Sequence, residues 1–164
     1  IPAPGPDTTY CEKNWMPILD MPYHFVKWTN PTEVVKVDMK AGTCTTEVLD
    51  ESRTVNVGPD LRGGAQVIPW GDDCYLTITH EVNLFNSELG RKDGTYRHRF
   101  VVRDKDWNIV RFSQGVSFMT GEIEFVAGAT RIGNDLLISF GFQDNAAYIL
   151  RMPVSLVDNL IGLK

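Results

Sequence analysis

Three short, strongly apolar runs of β-type residues, centred on Val26, Ile78 and Ile138, recur along the chain at intervals of 52 and 60 residues. Each follows a shorter opening segment and a tight turn. Each is followed by further β-branched and aromatic runs punctuated by Gly, Pro, Asn and Asp. Period-2 runs of this length form strands. The candidates fall in three groups: 16–19, 23–28, 34–38 and 45–49; then 65–69, 75–82, 96–103 and 109–112; then 124–129, 135–142 and 147–152. Turn signals separate them at Trp70-Gly71-Asp72-Asp73, Asp104-Lys105-Asp106 and Ile132-Gly133-Asn134-Asp135. Only the tail, 155–163, has helical spacing, with Leu156, Leu160 and Leu163 on one face. The fold class is all-β with a short C-terminal helix.

A four-stranded sheet with its loops fits each interval, since propeller blades recur at roughly 40–50 residues. The first two groups supply four strands and the third supplies three. A closed propeller takes at least about four blades, so three groups make an incomplete ring. Eleven short strands also suit a jelly roll or sandwich, and the pattern leaves both architectures open.

Composition narrows the function classes. The 164 residues carry 16 Lys and Arg against 21 Asp and Glu, a net charge of -5. Without a basic cluster, no nucleic-acid partner is expected. No apolar run reaches the ~20 residues of a membrane helix, so no membrane partner is expected either. The opening Ile1-Pro2-Ala3-Pro4-Gly5-Pro6 is not a signal peptide and reads as a processed or artificially begun end. Cys11, Cys44 and Cys74 are widely and unequally spaced, without a C-x-x-C pair. They read as reduced thiols in a cytoplasmic protein, with one disulfide plus one free thiol as the alternative, and neither a metal site nor a cofactor is expected.

Six segments carry a resemblance: Glu12-Lys13-Asn14-Trp15-Met16-Pro17, Arg62-Gly63-Gly64-Ala65-Gln66, Leu76-Thr77-Ile78-Thr79-His80-Glu81-Val82, Tyr96-Arg97-His98-Arg99-Phe100-Val101, Ile123-Glu124-Phe125-Val126-Ala127-Gly128, and the run from Asp135 to Asp144. In this order they resemble the C-terminal blades of the five-bladed β-propellers of glycoside hydrolase family 130, which includes mannoside phosphorylases, hydrolases and related mannosyltransferases. The resemblance implies about three four-stranded antiparallel blades, near 11–58, 59–115 and 116–153. A Pro-rich lead-in over 1–10 precedes them and a helix over 154–163 follows. It also implies an oligosaccharide or glycan as partner, inorganic phosphate as a possible co-substrate, and missing N-terminal blades from the same precursor or another subunit. The family's general acid belongs to those earlier blades, so this chain alone is expected to be inactive. Where the phosphorylases use an arginine for phosphate, 23–28 offers Lys27 or Trp28.

The candidate substrate-binding residues are Lys13, Trp15, Arg62, His80, His98, Glu124 and Asp144. Lys13 and Arg62 suit an oxyanion, and Trp15 can stack on a pyranose face. His80 and His98 are the acid–base types. In a strand, Tyr96 and His98 share one face, and Arg97 and Arg99 share the other. The resemblance puts His80 at a phosphate- or substrate-contacting position and Asp144 at a sugar-binding one. Glu124 and Asp144 are the carboxylates to watch, because glycosidases divide acid and base work between two. Each also has a plain structural reading: an exposed strand end for Lys13 with Trp15 as core, a turn for Arg62 and Asp144, a satisfied structural histidine for His80, blade-to-blade hydrogen bonding for His98, and a cross-strand ion pair for Glu124. A glycan-binding module without chemistry, or an interaction domain using open sheet edges, are the other functional readings.

Overall fold

The computed structural model describes residues 13–50, 57, 61–71, 73–86, 88, 90 and 92–162. The expected lead-in over 1–10, Cys11, Glu12, Asp72 and Leu163 lie outside the described residues, as does most of the first blade boundary.

Twelve strands form three antiparallel sheets in chain order. The first contains β1 (Met16–Pro17), β2 (His24–Trp28), β3 (Thr32–Asp38) and β4 (Thr43–Asp50), in that spatial order. The second contains β5 (Arg62–Gly63), β6 (Ile68–Pro69), β7 (Cys74–Asn86), β8 (Lys92–Asp104) and β9 (Ile109–Phe112). The third contains β10 (Glu124–Ile132), β11 (Asp135–Phe142) and β12 (Ala146–Pro153), followed by helix α1 (Val154–Leu160). Every sheet is a meander, and no Greek-key crossing occurs among the named strands. Val26, Ile78 and Ile138 are fully buried on β2, β7 and β11, so the apolar repeat marks the same position in each sheet.

Three expectations need correction. The segment 65–69 is a strand only at Ile68–Pro69: β5 lies before it at Arg62–Gly63, both β5 and β6 pair with β7, and the chain between them leaves the ladder. Val67 N donates to Pro17 O at 2.9 Å, Ile18 and Val67 form a parallel bridge, and the Gln66 amide engages the Ala129 backbone. This stretch thus ties all three sheets together, by its backbone to the first and by the Gln66 side chain to the third, instead of completing a ladder with one. The sheets therefore hold four, five and three strands, not four each. The helix spans Val154–Leu160 rather than running from 154 to 163, because Ile161 at φ -92° and Gly162 at φ 72° leave helical geometry.

The middle sheet is buried on both faces. Leu76, Ile78, Phe100 and Val102 pack with Val126, Leu136, Ile138 and Phe140 of the third sheet. A smaller cluster holds Met16, Ile18, Val26 and Val34 of the first sheet with Val67 and Trp107. Tyr75 stacks on Trp107 at 4.8 Å. Arg103, fully buried at the end of β8, donates to Thr32 Oγ1 at 2.6 Å, Thr29 O at 3.1 Å and Trp107 O at 3.3 Å. Its guanidinium fork satisfies the β2–β3 turn that the second sheet covers. Burial pulls its pKa down to about 10, so it keeps its proton at neutral pH.

Candidate functional site

The heads of the first strands carry most of the candidate residues. Arg62 on β5 pairs in register with His80 on β7, and His80 pairs with His98 on β8. Beyond His98, the backbone bridges to Val116 through two hydrogen bonds of 2.8 Å. The loop from there leads to Glu124, the first residue of β10. One lateral row therefore joins Arg62, His80, His98 and Glu124, which the sequence spreads over 63 positions.

Glycine brings the first sheet to this row. A Cβ on Gly63 would collide with Asn14 O and the Met16 side chain, so the backbones of β5 and the β1 lead-in touch. Exposed Lys13 stands beside the row. Half-buried Trp15 packs against Phe25 at 6.0 Å, with Lys27 Nζ 5.8 Å from its ring centroid. The Arg62 guanidinium lies 5.9 Å from the Trp28 ring centroid.

The two histidines are interior groups in aromatic surroundings. His80 is 3% exposed, stacks on Tyr96 at 5.7 Å, and meets Phe125 edge-on at 5.2 Å. His98 is fully buried and stacks on Phe118 at 4.6 Å. Burial, then the charges of Arg62 and Lys13, push His80 down to about 4. Burial, then His80 itself, push His98 down to about 4. Both imidazoles are neutral at physiological pH. His80 Nδ1 and both His98 ring nitrogens lack a hydrogen-bond partner among the described residues.

Glu124 is the only carboxylate among the buried described residues. Its Oε2 accepts from Phe118 N at 2.8 Å and its Oε1 from Met119 N at 2.7 Å. Oε2 also lies 3.5 Å from His98 Nε2. Because His98 is neutral, this is a carboxylate beside an uncharged imidazole, not an ion pair. Both carboxylate oxygens hold the 118–119 backbone, an arrangement suited to fixing a loop.

Asp144 stands apart from the row. It lies exposed in the β11–β12 turn, where Gln143 and Asp144 have φ of 55° and 51°. Two successive positive φ values match a type I′ hairpin turn, which tolerates Asp. Its carboxylate makes no hydrogen bond or ion pair among the described residues. The turn lies near the head of β10, since Phe142 pairs with Glu124 and Gln143 N donates to Ile123 O at 2.8 Å.

The sequence reading did not single out Phe118 and Phe125 as the walls around the histidines. Neither spacing nor residue type marks them, because they reach His98 and His80 from other strands and loops. Arg99, on the face opposite His98, pairs with Glu81 at 3.1 Å, as the alternation along β8 predicts. Cys44 and Cys74 are free thiols. Among the described residues, no three His, Cys, Asp or Glu side chains cluster as a metal site would, and no helix is long and apolar enough to cross a membrane.

Comparison of the chain with protein-family models, with curated proteins and with solved structures finds no match.

Proposed function

We propose that this chain is a glycan-binding segment of a β-propeller related to glycoside hydrolase family 130, and that it does not cleave glycosidic bonds by itself. Three successive meanders with adjoining first strands support the propeller reading, each sheet acting as one blade. One observation carries the functional reading: His80, neutral and with Nδ1 unpartnered, lies beside Lys13 and Arg62 at the strand heads. A neutral imidazole exchanges hydrogen bonds with sugar hydroxyls, and nearby cations favour a sugar oxygen or phosphate. Trp15 supplies an aromatic face, and the exposed Asp144 supplies acceptors from the neighbouring turn.

Glu124 argues against chemistry within the segment. A general acid must present its proton to the leaving oxygen, whereas both Glu124 oxygens already hold backbone amides. Hydrolysis, phosphorolysis or transfer therefore belongs to an assembly that includes further blades. Free Cys44 and Cys74 suit a reducing, cytoplasmic setting.

Titration calorimetry with manno-oligosaccharides, with and without inorganic phosphate, tests the reading. Millimolar binding lost in Trp15→Ala, without product release, supports it. No binding, or robust turnover by the chain alone, overturns it. A second reading rests on β12, whose outer edge has no partner strand among the described residues and which exposes Tyr148 and Ile149. Here the segment is an interaction module whose third sheet receives a strand from the remaining blades. Backbone amide protection on β12 when those blades are supplied would distinguish it.

A further inference from the structure

Arg131, near the far end of β10 and roughly 23 Å along the strand from Glu124, borders a separate cavity of about 630 Å³ between the second sheet and α1. Its volume falls in the range that encloses a small organic ligand. Trp70, Cys74, Val102 and Val110 supply apolar wall. Arg111 and Arg131 supply cationic lining, with Asp158 of α1 beside them.

The polar lining is organised. Trp70 Nε1 donates to Asp158 Oδ1 at 3.2 Å, so the indole and α1 hold each other in place. The Arg131 guanidinium lies 5.5 Å from the Trp70 ring centroid, and its Nε donates to Gly133 O at 3.1 Å. Arg111 Nη1 donates to Gly162 O at 2.8 Å. Each guanidinium has five N–H donors, and each uses one of them in these contacts. Two arginines against one aspartate leave the lining with net positive charge, in a chain whose total is -5. That contrast favours a small monoanion over a polyanion, which the surrounding negative charge would repel.

We propose that this cavity binds a small aromatic carboxylate. The ring packs on Trp70, Val102 and Val110, and the carboxylate accepts from the remaining N–H groups of Arg111 and Arg131. The site is independent of the glycan reading, since it shares no residue with the strand heads.

Half-buried Cys74 lines the cavity and serves as a reporter. The full chain is treated with N-ethylmaleimide in increasing 2-naphthoate, and modification of each cysteine is followed by peptide mass spectrometry. Saturable protection of Cys74 is expected, with Cys44 on β4 unaffected. The matched neutral probe, 2-naphthamide, should need about tenfold higher concentration, because it lacks the charge-assisted hydrogen bonds. Arg111→Gln and, separately, Arg131→Gln should each weaken naphthoate protection by about the same factor. The two side chains are exposed, so at least one folded variant is available. An unchanged Cys74 rate at millimolar naphthoate overturns the proposal. So does equal protection by the acid and the amide that neither substitution alters.

Discussion

His98 Nε2 lies 3.5 Å from Glu124 Oε2 with both side chains fully buried, yet the imidazole is neutral. The carboxylate draws its compensation from the amides of Phe118 and Met119 instead. A residue that resembles half of a catalytic pair in sequence is here an anchor for the loop that leads into the third sheet.

Glu124→Ala leaves two amide groups without their acceptor in a dry site. Each unsatisfied buried group costs about 1–3 kcal/mol, so the variant should lose roughly 2–6 kcal/mol of unfolding free energy. Glu124→Gln keeps one acceptor oxygen and should lose about half as much. Urea denaturation monitored by tryptophan fluorescence checks both, and a loss below about 0.5 kcal/mol in the alanine variant would refute the anchor role.

Stability should fall as pH drops from about 6.5 towards 4. His80 and His98 have folded-state values near 4, below the ordinary histidine value of 6.5. Between those limits the unfolded chain binds protons that the folded chain refuses, so acid favours unfolding. The contribution is complete above 6.5 and is lost as pH falls through the window. Two such groups give a slope of at most roughly 3 kcal/mol per pH unit. His98→Phe preserves the stacking shape on Phe118 and should halve that slope without lowering stability at pH 7.5. Denaturant midpoints measured from pH 7.5 to 4.5 decide this, and an unchanged slope in the variant would sink it.

Arg103→Ala should cost about 2–5 kcal/mol, from buried acceptors left without donors and from the cavity that the missing side chain leaves. It strips donors from Thr29 O and Trp107 O and leaves a void between the first two sheets. Arg103→Lys should recover only part of the loss, because an ammonium cannot reproduce the fork. Thermal unfolding of the three proteins is the measurement. A lysine variant as stable as the parent would show that charge, rather than geometry, is what the site requires.

Gly63→Ala should be among the most damaging small substitutions in the chain. The added methyl meets backbone at Asn14 O, which cannot rotate aside as a side chain can. Overpacking of this kind costs typically about 1–3 kcal/mol or more. By contrast, Gly42→Ala meets no atom within 4 Å and carries only the penalty of φ 65°. Comparing the two by denaturation separates close approach from backbone strain. Equal losses would refute the contact between the first two sheets.

Much of the secondary structure is legible in the sequence, for a local reason. β9 and β11 match the expected 109–112 and 135–142, and Val26, Ile78 and Ile138 occupy equivalent buried positions. Apolar alternation and turn chemistry act over a few residues, so they can be read from neighbours in the chain.

What the chain order could not decide is which faces meet. The sequence alone determined most of the strands, the turns and the alternation that puts His98 opposite Arg99 along β8, while the order of strands within each sheet came from the structure. Only the tertiary structure shortened the expected strand 65–69 to Ile68–Pro69, because Gln66 and Val67 bond across to Ala129 and Pro17. The same long-range packing made Arg103 a tie between sheets, turned Glu124 from a candidate acid into a backbone anchor, and left Asp144 exposed in a turn. Each of these roles depends on desolvation and on partners tens of residues away. Burial and hydrogen-bond supply are properties of the assembled interior, and no local pattern encodes them.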